Sequence, residues 1–390
     1  VSENLRLSSE PLLRARSHLG GLVWLGALLA GLCAGHLAVA QPTGTTPRLP
    51  LGRSRVGRVT VTCPCCGHQF EALAVWQTNT REGVDRDLFA RALGPQPVFY
   101  RVSTCTNCYY SGYLEDFQEG IQLPPDFIAA LTGVWPQAPA GERDSVAPPQ
   151  APTGLSPSVE IRSGCSQRDI PALVRYQLAA ECYRSLQRSD EALAWLCLRA
   201  SWVVREENSV LPPTERFERM LKYARRWLPP DSAQANQADR ELAMSTTLAA
   251  AIGEGHFNAH QQPYAELVLA MLLRRHGENA PACHLLKRLL EEPGFSEELA
   301  KAARRMYDSI EVERHWQHQA ARHFNRALRT RTVAQENQAA ALYLLGELHR
   351  RLGDYSRAVD FFNRTLQRPD LPSDLRDWAL AQKAATQATH

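Results

Sequence analysis

The residues best placed to do chemistry in this chain are two pairs of cysteines. Cys63-Pro64-Cys65-Cys66-Gly67-His68 and Cys105-Thr106-Asn107-Cys108 each follow a run that reads as a strand, Val59 to Thr62 and Val98 to Thr104. A C-x-x-C pair on a tight turn aims two thiolates one way, and two such knuckles complete a tetrahedral four-sulfur shell. The spacing predicts a zinc ribbon with Cys63, Cys66, Cys105 and Cys108 as the Zn2+ ligands. A shell filled by four protein ligands keeps no open coordination position, so the expected role is structural. Cys65 is a fifth thiol inside the first knuckle. It can exchange with a neighbouring ligand or act as a redox thiol; the plainer expectation is a thiol turned away from the metal.

Other polar groups have chemical and bland readings side by side. Asp85 and Asp87 flank Arg86 and can bind a cation or act as acid and base. Their plainer role is to satisfy backbone N–H groups in a loop or helix start. Glu311, His315 and His318, with His323 a turn further, share a helix face that can ligate metal only if a second helix completes the shell; a solvated face is expected. His256 and His260 are four apart, but Gly253 and Gly255 precede them. Cys182, Cys197 and Cys283 fall on apolar faces as small core residues, Cys165 lies in a linker, and Tyr183, Trp195 and Trp202 are expected in inter-repeat packing. No H-E-x-x-H, G-x-S-x-G or phosphate-binding G-x-x-x-x-G-K pattern occurs, and no catalytic residue is assigned.

The elements that carry these residues divide the chain. Arg14, Arg16 and His18 precede an uncharged apolar run, Gly20 to Ala40, that ends Ala38-Val39-Ala40 before Gln41. That is a small-x-small cleavage pattern, so residues 1–40 read as a signal peptide, with residues 19–40 as a membrane anchor if uncleaved. An exported location makes disulfides the rival to zinc. Yet C-x-x-C loops would be short and strained, and losing Cys33 with the leader leaves an odd number of cysteines. Residues 41–57 read as a linker, 58–135 as the ribbon module with a short helix at Pro125 to Gly133, and 136–168 as a Pro-rich linker unable to build a core. From 169 to 390 apolar residues recur at three- and four-residue steps, which predicts helices throughout, including segments at 213–228, 232–252, 296–328 and 372–387.

The helical half repeats itself. Gly353, Ala358, Phe362, Leu366 and Pro369 fall on Gly277, Ala282, Leu286, Leu290 and Pro293, and Ala180, Tyr183, Ala192 and Leu196 make a weaker copy. The order of turn, small and large residues is that of tetratricopeptide (TPR) helical pairs, which bury their apolar faces only by stacking. The expected fold is therefore mainly α: a TPR-like α-solenoid with a small N-terminal β zinc ribbon and an N-terminal signal segment.

Cys63-Pro64-x-Cys66-Gly67 with Phe70, Asp85-Arg86-Asp87, Phe99-Tyr100-x-Val102 and Cys105-x-x-Cys108-x-Tyr110 resemble an uncharacterised bacterial group, domain-of-unknown-function family 2225. Arg175-Tyr176-x-Leu178-Ala179 through Trp202, and Leu344-Leu345-Gly346-Glu347-Leu348-x-Arg350-Arg351-Leu352-Gly353, resemble its helical part. The resemblance implies a ribbon joined to TPR-like helices and no defined activity. Tyr109 departs from it, standing where such ribbons carry Gly.

The net charge of +3 offers no global field for nucleic acid or anionic lipid, and Arg58 to Phe117 holds five arginines against six carboxylates. The expected function is an exported, non-enzymatic zinc-binding adaptor that holds a protein or peptide partner on its helical surface, with no nucleic acid. The alternatives are a thiol–disulfide protein using the C-x-x-C pairs, or a nucleic-acid-binding ribbon if the chain is not exported.

Overall fold

A computed structural model describes residues 52–133, 166–207, 237–291 and 296–388. The expected leader, most of both linkers, Cys165 and the helix expected at 213–228 lie outside the described residues.

Two β-hairpins open the described chain. β1 (Arg55–Thr62) pairs antiparallel with β2 (Gln69–Gln77), and β3 (Val102–Thr104) with β4 (Ser111–Tyr113). Val59 faces Ala72 and Val61 faces Phe70, so the period-2 alternation puts one apolar face over the cysteines. β1 begins earlier than the sequence pattern suggests, because Arg55 to Gly57 continue the ladder opposite Ala74 to Gln77. The strand expected from Val98 is shorter: Pro97–Tyr100 form a 3-10 turn with Pro97 at its start, and pairing resumes at Val102.

Ten helices follow among the described residues: α1 (Pro125–Gly133), α2 (Ala172–Ser185), α3 (Asp190–Glu207), α4 (Gln237–Gly253), α5 (Gln262–Arg275), α6 (Asn279–Glu291), α7 (Glu297–Arg329), α8 (Gln338–Arg351), α9 (Tyr355–Leu366) and α10 (Ser373–Ala388). Consecutive helices pack as hairpins, α2 on α3, α5 on α6, α8 on α9, and the long α7 lies along α3. The turns after α2, α5 and α8 end the same way. The N–H of Arg188, Glu278 or Asp354 bonds back to Tyr183, Leu273 or His349 across a residue of positive φ, Gln187, Gly277 or Gly353. Gly346 is bare because a Cβ there would stand 2.6 Å from the Phe362 ring, so α8 and α9 approach closely. No helix among the described residues is long and apolar enough to cross a membrane.

The two parts do not stand apart. Leu88, Phe89, Val98 and Val102 share one core with α2, α3, α7, α8 and α9. The side chain of Gln167 pairs with Thr104 through both its amide atoms, extending β3 like a further strand residue. Arg175 on α2 donates to the carbonyls of Phe99, Val102 and Ile170, and the Tyr176 hydroxyl to that of Val98. These bonds satisfy carbonyls of the 97–104 segment that short strands leave unpaired.

Candidate metal centre

The two knuckles are built alike. In the first, Gly67 N–H donates to the Cys63 carbonyl and Cys63 N–H to that of His68, both at 2.9 Å. In the second, Tyr109 N–H donates to Cys105 and Cys105 N–H to Tyr110, both at 2.8 Å. Gly67 and Tyr109 occupy the same position with φ of 71° and 62°. Tyr109 thus adopts the left-handed conformation that glycine takes without cost. Its ring is buried against Ile170, Val174 and Leu178, so contact with α2 compensates the backbone.

The knuckles bring Cys63, Cys66, Cys105 and Cys108 together, their sulfurs all within 4.8 Å of one another. Cys63 Sγ lies 3.6 Å from Cys108 Sγ, and Cys66 Sγ 3.6 Å from Cys105 Sγ. Four sulfurs at metal bonds of roughly 2.3 Å in a tetrahedron would be about 3.8 Å apart, so this set can hold a metal ion. Cys63, Cys105 and Cys108 are buried. The sulfurs differ as acids: hydrogen bonding with Cys105 pushes Cys108 far above the usual thiol range and holds Cys66 far below it. Only a cation among them would ionise all four together.

Cys65 stands outside this set of four, as expected of a thiol that is not a ligand, yet it is buried in the same cluster, where the Cys108 sulfur lowers its pKa. Cys182 of α2 belongs to the same cluster, its thiol pushed up to about 12 by burial, so the helical body closes the outer side of the site. Tyr110 and Phe117 pack edge-on beneath, ring centroids 5.3 Å apart.

Asp85 and Asp87 do not serve backbone N–H groups of a loop; they are buried ion-pair partners. Arg91 grips Asp85 with two bonds of 2.8 and 2.9 Å. Asp87 accepts from Arg205 and from Trp202 Nε1. Arg205 also meets Glu313, which binds Arg274, while Glu347 binds Arg350 and Arg351. Burial alone would raise Asp87, but Arg205 and Arg351 hold it well below the usual carboxylate range. With each carboxylate saturated by guanidinium groups, none is available as a base.

The remaining candidates scatter. Glu311 and His318 are exposed and His315 partly so, while His323 is buried and bonded to Asp190, off the solvated face. His256 and His260 are both exposed, His256 bonding Glu254. Cys197 is buried and Cys283 only partly. Trp195 packs on Phe324 of α7, but Trp202 meets Phe89 in a tilted ring contact and Tyr183 donates to Asp116, both towards the N-terminal β region. Arg205, Arg274 and Glu313 escaped the sequence reading, and Glu347 entered it only through the family resemblance. The i, i+3, i+4 spacing of Glu347, Arg350 and Arg351 was the visible trace of the network.

Fold and site define a mainly helical protein whose small N-terminal β region gathers four cysteines able to hold a metal ion. The chain belongs to domain-of-unknown-function family 2225, described as an uncharacterized protein conserved in bacteria, whose model matches residues 58–310 and 308–386. No curated protein matches it.

Proposed function

We propose that this protein is a non-enzymatic adaptor in which Zn2+ on Cys63, Cys66, Cys105 and Cys108 fixes a ribbon against TPR-like helical hairpins. The helical surface captures a protein or peptide partner, and the chain works outside the cytoplasm, free or anchored by residues 19–40. The observation that carries this reading is the closure of the site. Four thiolates around one ion would fill a tetrahedral shell, and three of these cysteines are buried, so a metal held there would have no position for a substrate. Tetrahedral sulfur ligation suits zinc. The solenoid reading draws support from the internal register: Gly277 and Gly353 have φ of 82° and 83°, and Ala282, Ala358, Leu286 and Phe362 are all fully buried. The export reading rests on the apolar run before Gln41.

Metal analysis of the purified chain tests the first part; one zinc per chain is expected, and iron or no metal refutes it. Cell fractionation with N-terminal sequencing tests the second. A soluble cytoplasmic protein that retains its leader refutes export. Capture of a partner by the full chain, lost when helical-surface residues are changed, tests the adaptor role.

A further inference from the structure

A groove of about 530 Å3 runs along the seam between ribbon and helical body, within the range of roughly 300–1,000 Å3 common for ligand clefts. Tyr100 and Tyr113 line it from the ribbon, Trp195 and Arg199 from α3. These walls are held rigid. Arg199 lies 5.1 Å from the Tyr113 ring centroid and 5.8 Å from that of Trp195, and donates to the Tyr113 hydroxyl. Trp195 is braced edge-on by Phe324, with centroids 5.2 Å apart.

The hydrogen-bonding capacity of the groove is one-sided. Its acceptors are engaged: Asp116 takes bonds from Tyr183, Arg188 and the Tyr113 N–H, and Glu191 from Asn337 and the Ala334 N–H. The exceptions are Glu115, at the exposed rim, and the buried Oδ1 of Asn337. The donors differ. The Trp195 indole N–H, the Tyr100 hydroxyl and the Arg101 guanidinium have no acceptor among the described residues and are not among the buried polar atoms. A matching ligand brings flat apolar rings and bare carbonyls, and needs few acceptors.

We propose that this groove binds a proline-rich P-x-x-P segment of a partner protein in the polyproline II conformation. Proline has no N–H to satisfy, and the polyproline II backbone leaves every carbonyl free for donors such as Trp195, Tyr100 and Arg101. Three residues per turn put the two prolines of P-x-x-P on one face, towards aromatic walls. This deepens the adaptor reading by naming the partner's chemistry, and it rests on that reading. The chain itself supplies a probe: Pro136-Gln137-Ala138-Pro139 and Pro149-Gln150-Ala151-Pro152 are two P-x-x-P sequences, both outside the described residues.

The test titrates a fluorescent peptide of residues 147–158 with the full chain. A parallel titration uses the full chain with Pro136, Pro139, Pro149 and Pro152 changed to alanine, which cannot compete from its own sequence. Saturable binding to at least one of the two is expected. It should weaken roughly tenfold with Tyr100→Ala and at least about threefold with Trp195→Phe, and vanish when the peptide prolines become alanine. Trp195→Phe keeps a ring against Phe324, so an unchanged melting temperature shows that the loss is local. Absence of saturable binding to both chains overturns the proposal. So does binding indifferent to Tyr100→Ala and Trp195→Phe. Capture of partners without peptide binding leaves the adaptor reading standing and removes the groove; peptide binding without a captured partner does the reverse.

Discussion

Arg205 donates to both carboxylate oxygens of Asp87, at 2.8 and 3.2 Å across 118 residues of chain, and both side chains are fully buried. The pair ties the loop between the two β-hairpins to α3. Around it Trp202, Glu313 and Arg351 supply further partners, so charge is matched where solvent cannot help.

Asp87→Asn should therefore destabilise the whole chain, not the ribbon alone. Removing one partner of a buried pair leaves an uncompensated charge and costs about 3–5 kcal/mol. Urea unfolding followed by far-UV circular dichroism should show the helical transition itself shift. Adding Arg205→Met should deepen the loss, because Arg205 also meets Asp85 and Glu313. A helical transition unmoved by Asp87→Asn would mean that the two parts fold separately.

Metal removal follows from the same shared core. Leu88, Phe89, Val98 and Val102 lie on the chain between and beside the two knuckles and pack into the helical core. Chelation, or Cys105→Ser, should release the metal and lower the melting temperature of the helices as well as the ribbon. Structural zinc contributes on the order of 10 kcal/mol in small domains, so the shift should be easily measured. Cys65→Ser should retain one metal per chain. If Cys65→Ser loses it while Cys63→Ser keeps it, the ligand set is wrong.

The cysteine spacing and the 76-residue register of Gly277 on Gly353 were readable because each depends on local geometry: a knuckle or a helix turn needs its residues at fixed offsets. Helix α1 was readable for the same reason. The contacts between the parts were not. Asp87, Trp202, Arg205 and Glu313 are far apart in sequence, and an aspartate reads alike whether it caps a loop or anchors a buried arginine. Gln187 also hides a helix end, because it holds a positive φ where glycine would have signalled the turn.

Tyr109 offers a sharp test of compensation. Tyr109→Gly relaxes the backbone at φ 62° yet empties the place of its ring among Ile170, Val174 and Leu178. Losing a large buried aromatic costs about 3–5 kcal/mol, against a backbone gain of roughly 1 kcal/mol. Net destabilisation of about 2–4 kcal/mol with metal content intact is expected. If Tyr109→Gly is neutral or stabilising, the ring does not fasten the knuckle to α2.

Acid should weaken the fold in two steps. Burial depresses the His276 pKa to about 4, so the folded state keeps it neutral while the unfolded state titrates near its usual 6.5. Its contribution is full above about pH 6.5 and lost as pH falls towards 4, on the order of 2–3 kcal/mol. Asp85, Asp87 and Glu347 add a second loss at lower pH. Burial raises them, but Arg91 and Arg205, Arg205 and Arg351, and Arg350 and Arg351 outweigh it and depress all three. Their stabilisation is present above the usual carboxylate pKa and disappears below it. Between pH 7.5 and 4.5 the wild type should lose about 2–3 kcal/mol more than His276→Gln, a difference unaffected by any metal release common to both. Equal losses would remove His276 from the account.

The repeat register makes the most direct claim on the helical half. Gly346 on α8 faces the Phe362 ring of α9, and Ala358 beside it is fully buried. A Cβ at position 346 would lie 2.6 Å from the ring, so Gly346→Ala must push the helices apart or twist Phe362. Overpacking of this kind costs about 1–3 kcal/mol, and Ala358→Leu should cost at least as much. Phe362→Ala leaves a cavity instead, at about 3–5 kcal/mol. Because the two defects have opposite sign in volume, Gly346→Ala combined with Phe362→Leu should recover part of the loss, a non-additivity expected only of residues in contact. Arg357, exposed on the outer face of α9, should tolerate alanine within about 0.5 kcal/mol. Thermal melts of the full chain decide it. Strict additivity of Gly346→Ala and Phe362→Leu, or a severe loss from Arg357→Ala, would show that the helices meet in another register.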